Sequence, residues 1–199
     1  APHTPMHATD DDLAAVGMDS DMDGAVKRLA LLAQDSGCDG VICSPREIAL
    51  LRAYSRYLRQ IQFPYSGEYI AETLGNHLHI TAGIVELFLT RFSPVFEGDE
   101  EWRGQREQAV EQRILDSLER VENLSEDRII RQYVDVIKAT VRTNFFQQGD
   151  RGDSKGYFSF KLQPALIPEI PRPVPLFEIY VYSPWVEGVH LRGGRVARG

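Results

Sequence analysis

The spacing of apolar residues changes once along this chain, and that change decides which folds are open to it. Up to about residue 146 apolar positions recur every three to four residues; from Phe158 they alternate. Val26, Leu29, Ala30 and Ala33 fall at i, i+3, i+4 and i+7, with Lys27, Arg28 and Gln34 off the stripe, so an amphipathic helix is predicted that ends near Gly37. The run Gly40-Val41-Ile42-Cys43 predicts a short buried strand. Ser44 is placed to cap a second helix and Pro45 to occupy its first position. Leu51, Tyr54, Leu58 and Ile61 line one side of it and Arg52, Arg56 and Arg59 another. Pro64 and a Ser66 cap end that helix and begin one through Tyr69, Ile70 and Leu74 to about His77. Thr81 to Phe92 is strongly apolar and stops at Pro94; Glu100 to Val121 is polar, with a stripe of Val110, Ile114, Leu118 and Val121. Ser125 is the predicted cap of the last helix, with Glu126 and Asp127 at its positive end. Its expected buried face is Ile129, Ile130, Tyr133, Val134, Ile137, Val141 and Phe145.

Beyond the polar loop Gln147–Lys155 the pattern is that of half-buried strands. Phe158, Phe160 and Leu162 alternate with Ser159 and Lys161, and Phe177, Ile179 and Val181 alternate with Glu178, Tyr180 and Tyr182. The proline-rich stretch 164–175 between them reads as an extended connector, and Val186 to Leu191 as a further strand. The expected fold class is therefore α+β: mainly helical from 24 to 146, then a small β region at 156–192, together an incomplete domain. Three parts are expected: an acidic segment 1–45 with one helix and one short strand, a helical region 46–155, and a β-rich part 156–199.

Composition narrows the function. With 199 residues, 43% hydrophobic and 26% charged, the chain can bury a real core. Its net charge is −7, and almost all of it lies in residues 1–45, which hold eight Asp against Lys27 and Arg28. An acidic balance argues against nucleic acid as partner. No apolar run is long enough to span a membrane, and the opening APHTPMHATDDD lacks the basic and apolar regions of a signal peptide. Cys38 and Cys43 are too few for a disulfide framework and are expected as reduced thiols in the cytoplasm.

The candidate motifs are weak. Asp19-Ser20-Asp21-Met22-Asp23-Gly24 opens like a calcium loop, but Ala30 stands where the bidentate carboxylate belongs and Lys27 at the ninth position. His77 and His79 diverge across a helix end and read, like His3, His7 and His190, as surface or interhelical histidines rather than metal ligands. Arg151-Gly152-Asp153 is an adhesion tripeptide in an ordinary polar loop, and Pro168-Glu169-Ile170-Pro171 a tether of P-x-x-P form. Gly194 and Gly199 have the spacing of the outer glycines of a phosphate-binding loop without its Lys and Ser/Thr. A glycine–arginine segment is a poor domain end, so more chain is expected beyond it. No nucleophile, paired carboxylate or acid–base group stands out by spacing.

Two resemblances carry the reading further. Arg46-Glu47-Ile48-Ala49-Leu50-Leu51-Arg52-Ala53-Tyr54-Ser55-Arg56-Tyr57-Leu58-Arg59-Gln60, Asn123–Arg131, Val141–Gln147, Tyr157–Leu162, Arg172–Tyr182 and Ser183–Gly199 resemble, in order, segments of the large NAD-specific bacterial glutamate dehydrogenases. The resemblance implies an oxidoreductase of amino-acid catabolism converting glutamate to 2-oxoglutarate and ammonia with NAD as cofactor. It places the family's catalytic lysines and dinucleotide-binding domain past Gly199, so no catalytic or cofactor-binding residue is assigned, no metal, and no NAD bound by this chain. Gly193, Gly194, Arg195, Arg198 and Gly199 would border the substrate domain. Trp185 stands where the family pattern leads one to expect a basic residue.

Asp11–Gly17, Leu29–Ala33 and Gly37–Ser44 instead resemble one βα stretch of orotidine 5′-phosphate decarboxylase, without its lysine–aspartate array and with Thr4–Thr9 in place of an apolar strand. The seam falls between Cys43 and Arg52, and each piece alone is expected to be inactive. The alternative to a partial dehydrogenase is a non-catalytic helical scaffold that self-associates, through the Ile129–Phe145 face, or packs with the missing dehydrogenase domains.

Overall fold

The computed structural model describes residues 44–95, 98–149 and 154–194, which lie in the unit Pro45–Gly199 apart from Ser44. The expected helix and strand before Ser44, both cysteines and the Asp19–Gly24 loop lie outside the described residues, as does Arg151-Gly152-Asp153. Within them, five helices precede one antiparallel sheet: α1 Pro45–Gln60, α2 Gly67–Asn76, α3 Leu78–Phe92, α4 Glu100–Leu118, α5 Leu124–Ala139, then β1 Thr140–Thr143, β2 Phe158–Leu162, β3 Phe177–Tyr182 and β4 Glu187–Arg192. The strands form a meander in the order β1-β2-β3-β4. The α+β order expected from the change of period is the order observed.

Local chemistry explains most boundaries. Pro45 opens α1, and the helix closes with two hydrogen bonds that run back over its last turn, Phe63 N to Leu58 O at 3.0 Å and Gln62 N to Arg59 O at 3.1 Å. That closure needs a left-handed residue, and Gln62 supplies it at φ 61°. Ser66 caps α2 by accepting from Tyr69 N, and Asp99 caps α4 by accepting from Trp102 N. The C-terminal carbonyls of α3 are held from outside: the Arg103 guanidinium of α4 donates to the carbonyls of Thr90, Arg91 and Ser93. Arg91 of α3 does the same at the end of α5, donating to Lys138 O and Thr140 O. Helices α3 and α4 come together at Gly83, where a Cβ would stand 2.9 Å from Ile114 Cγ1.

Three expectations are corrected. The cap of α5 is Asn123, whose side chain accepts from Ser125 N, and Ser125 lies inside the first turn. The helix stops at Ala139 and does not continue through Phe145: Thr140-Val141-Arg142-Thr143, three of them β-branched, form β1 with a bulge opposite β2. Val141 is consequently exposed, while Phe145 is buried from the loop that follows. The connector after β2 begins with one 3-10 turn, Pro164–Leu166, rather than running extended throughout.

The helices cover one face of the sheet. Phe158, Phe160 and Leu162 of β2 point into the core, joined by Glu178, Tyr180 and Tyr182 of β3. An aromatic line crosses from the helices to the strands. Phe88 meets Tyr54 with ring centres 6.1 Å apart, Tyr54 meets Phe160 at 4.7 Å, Phe160 meets Tyr180 at 6.4 Å and Tyr180 meets Tyr57 at 5.4 Å. Ile129, Ile130, Tyr133 and Ile137 of α5 are wholly inside this core. The face considered for self-association is therefore already occupied by the chain's own helices and strands.

Candidate functional site

The chemistry-bearing side chains of the described residues gather where α1 lies on the sheet. Tyr57 and Tyr54 are on its buried side because they follow the stripe of Leu50, Leu51 and Leu58 around the helix. Tyr57 Oη donates to Glu178 Oε2 at 2.6 Å, with Glu178 only 5% exposed. Tyr54 Oη lies 3.1 Å from Thr140 Oγ1, which itself donates to Val136 O at 2.8 Å. The threonine's hydrogen is thus used, and Tyr54 is the donor in the first bond. Tyr133 Oη donates to Leu51 O at 3.0 Å. At the solvent edge of the same junction Arg56 Nε and Gln60 Nε2 both donate to Glu187 of β4, at 2.8 and 3.1 Å.

These groups tie α1 to the sheet and to α5. Burial pushes the Tyr57 phenol far above its ordinary range, and the hydrogen bond to Glu178 pushes it in the same direction. Burial likewise raises Tyr54, Tyr133 and Tyr180. Three of these phenols, Tyr54, Tyr57 and Tyr133, act as hydrogen-bond donors. Tyr180 differs from the others: its hydroxyl is buried and has no hydrogen-bond partner among the described residues.

The residues expected to border a substrate site are only partly visible. Gly193 and Gly194 are exposed and follow β4, with open space around Gly193. Arg195, Arg198 and Gly199 lie outside the described residues. Gly193 follows Arg192, whose carbonyl accepts from Leu176 N, and lies two residues beyond Leu191, the partner of Glu178 across the sheet. The described lysines are each engaged: Lys138 is paired with Glu111, Lys155 bonds Gln147, and Lys161 lies 4.0 Å from the Phe177 ring centre. His77 sits between helices as expected, its Nε2 2.8 Å from Glu126 Oε2. Among the described residues no group of three or more His, Cys, Asp or Glu is placed to hold a metal ion. Every strand pairing among the described residues is antiparallel, unlike the parallel strand–glycine turn–helix unit of the common dinucleotide-binding fold.

The junction was missed in the sequence because its partners are far apart. Tyr57 and Glu178 are separated by 121 positions, and local polarity would turn Phe177, Ile179 and Val181 inward rather than Glu178. A signal was present in the two tyrosines sharing Glu178's side of the strand, since tyrosine and a bonded carboxyl can be buried together.

A helical layer on one face of a four-stranded antiparallel meander is the α+β class that this geometry defines. Two family models match the chain in succession. Residues 41–94 match the model for glutamate dehydrogenase, helical motif 3, and residues 113–199 that for the bacterial NAD-glutamate dehydrogenase catalytic domain. Over these spans the chain is similar to the bacterial NAD-glutamate dehydrogenases. It is 54% identical over 154 residues to the NAD-specific glutamate dehydrogenase of Pseudomonas aeruginosa, 51% over 157 to that of Halomonas elongata and 42% over 156 to that of Mycobacterium tuberculosis. Each match covers 77% of this chain but only 9–10% of the relative, so the chain spans about a tenth of the relatives' length. A short separate similarity exists to the orotidine 5′-phosphate decarboxylase of Aliivibrio fischeri, 50% over 42 residues, which is 21% of this chain and 18% of that protein.

The two matched segments are separated by residues 95–112, which include most of α4, yet they share one core. The helical motif supplies Leu51, Tyr54, Tyr57, His77 and Arg91, and the catalytic-domain segment supplies their partners Tyr133, Thr140, Glu178, Glu126 and Lys138.

Proposed function

We propose that this chain is a structural portion of an NAD-dependent glutamate dehydrogenase, in which the helical motif fixes the opening sheet of the catalytic domain. In the whole protein the reaction would be glutamate and NAD to 2-oxoglutarate, ammonia and NADH, in the cytoplasm. The observation that carries the reading is the shared core: Tyr57–Glu178 and Tyr54–Thr140 bind a helix of one family segment to strands of the other. Gly193 and Gly194, with Arg195, Arg198 and Gly199, would lead from β4 toward the substrate domain. Hydride transfer needs a bound nicotinamide and a group that takes the amine proton, and neither is offered by the described residues. The segment before Pro45 is a decarboxylase-like piece with no catalytic part in this reading, because one βα unit cannot close a barrel.

The test is direct. Purified chain mixed with glutamate and NAD should give no absorbance gain at the NADH band, while full-length Pseudomonas enzyme in the same buffer does. Sustained NADH formation by the chain alone would overturn the reading.

A further inference from the structure

On the outer side of the sheet, where Ser159 and Lys161 of β2 and His190 and Arg192 of β4 are polar, strand β3 is built unlike a solvent boundary, and so is the outward edge of the last strand. Phe177, Ile179 and Val181 stand side by side on the face away from the helices, the side where an antiparallel sheet facing water carries polar residues. Strand β4 is an edge. Its hydrogen-bonding phase is set at both sides of the sheet: Ser183 N donates to Val186 O at 2.8 Å, and Asn144 N donates to Ser159 O at 3.2 Å. Alternation from these bonds turns the backbone groups of Gly188, His190 and Arg192 toward β3. Those of Glu187, Val189 and Leu191 point outward, unpaired by any strand among the described residues. On the helix side the cover also stops short, since Leu191, opposite the buried Glu178, is 61% exposed. No lysine or proline blunts β4, as natural edge strands commonly require.

We propose that the β4 edge and the Phe177–Ile179–Val181 face form one docking surface for the remaining catalytic polypeptide of the dehydrogenase: a strand pairs with β4 and an apolar element seats on that face. The inference rests on the reading of the chain as part of such an enzyme. The occupant follows from two facts. All four strands lie inside the catalytic-domain match or at its core, and the relatives carry about nine tenths of their length outside the matched span. A second copy fits poorly. Antiparallel self-pairing through the outward groups would set Val189 against Val189 and Glu187 against Leu191, with no charge match, and Glu187 is already held by Arg56 and Gln60.

Amide hydrogen exchange tests the proposal on two samples, this chain and full-length Pseudomonas aeruginosa enzyme. At positions matching Val189 and Leu191 the amides should exchange about a hundredfold more slowly in the full-length enzyme, while those matching His190 and Arg192 are slow in both. Equal rates at Val189 and Leu191 in the two samples would overturn the proposal. So would protection that already appears in this chain alone and rises with its concentration, which would identify a second copy. The face is tested by Ile179→Lys with Val181→Lys. The pair should leave the urea midpoint of this chain unchanged and lower that of the full-length enzyme when placed at the matching positions; equal effects in both would refute it. These readouts are independent of the NADH assay, so the docking surface and the functional reading fail separately.

Discussion

Tyr57 and Tyr180 pack with ring centres 5.4 Å apart in one core and are both fully buried, but among the described residues one hydroxyl is bonded and the other is not. Replacing each by phenylalanine removes the same atom and leaves the ring packing, so the pair isolates the hydrogen bond. In Tyr57→Phe the buried Glu178 loses its only described hydrogen-bond donor. A bond to a carboxyl group in such a place contributes about 2–3 kcal/mol, mostly as the cost of leaving the partner unsatisfied. In Tyr180→Phe a hydroxyl that was stripped of water without return is removed, and stability should be unchanged or rise by up to about 1 kcal/mol. With a urea slope of about 2 kcal/mol/M, the first variant should unfold at a midpoint lower by about 1–1.5 M and the second at the wild-type midpoint or slightly above. Glu178→Met should in turn cost less in the Tyr57→Phe background than in wild type, with a coupling of about 1–2 kcal/mol. Equal midpoints for the two Tyr→Phe variants, or a larger loss in Tyr180→Phe, would refute the assignment of Tyr57–Glu178 as the anchor of α1.

Two further outcomes follow from local geometry. Gln62 holds the left-handed position that closes α1, so Gln62→Gly should raise stability by about 1 kcal/mol in thermal or urea unfolding, and a loss would show that its side chain matters more than its backbone. Glu126 is held below the usual carboxylate range chiefly by the His77 hydrogen bond, with Asn76 helping. Because its folded value is the lower one, the stability it contributes is present above the ordinary glutamate range and is lost as the pH falls through the folded value. Unfolding midpoints of wild type should therefore fall below about pH 4.5 more steeply than those of Glu126→Gln, which should be the less stable of the two at pH 7; parallel acid limbs would exclude this.

How much of this could be read from the sequence depended on how local the cause was. Pro45, Ser66, Pro94 and the alternation at Phe158–Leu162 act through their nearest neighbours, and the corresponding boundaries lie where the residues place them. Asn123 and Ser125 are both good caps two residues apart, and composition does not choose between them. The apolar stripe of α5 runs on through Val141 and Phe145 in helical spacing, but β-branching at Thr140–Thr143 and pairing with β2 end the helix first. The inward face of β3 was the hardest to see, since its choice is made by Tyr57 of a helix that precedes it by more than a hundred residues. Of the expected border residues, Gly193 and Gly194 fall within the described span, and neither carries a side chain.

The core that joins the two family segments has an evolutionary consequence. A helical motif borrowed from a distant relative would bring its own residue to the position of Tyr57 and meet a Glu178 selected with a different partner. Positions 54 and 140, and 57 and 178, should accordingly change together across the family. Recombination joints that survive should be commoner along the exposed face of α4 than anywhere between α1 and β3.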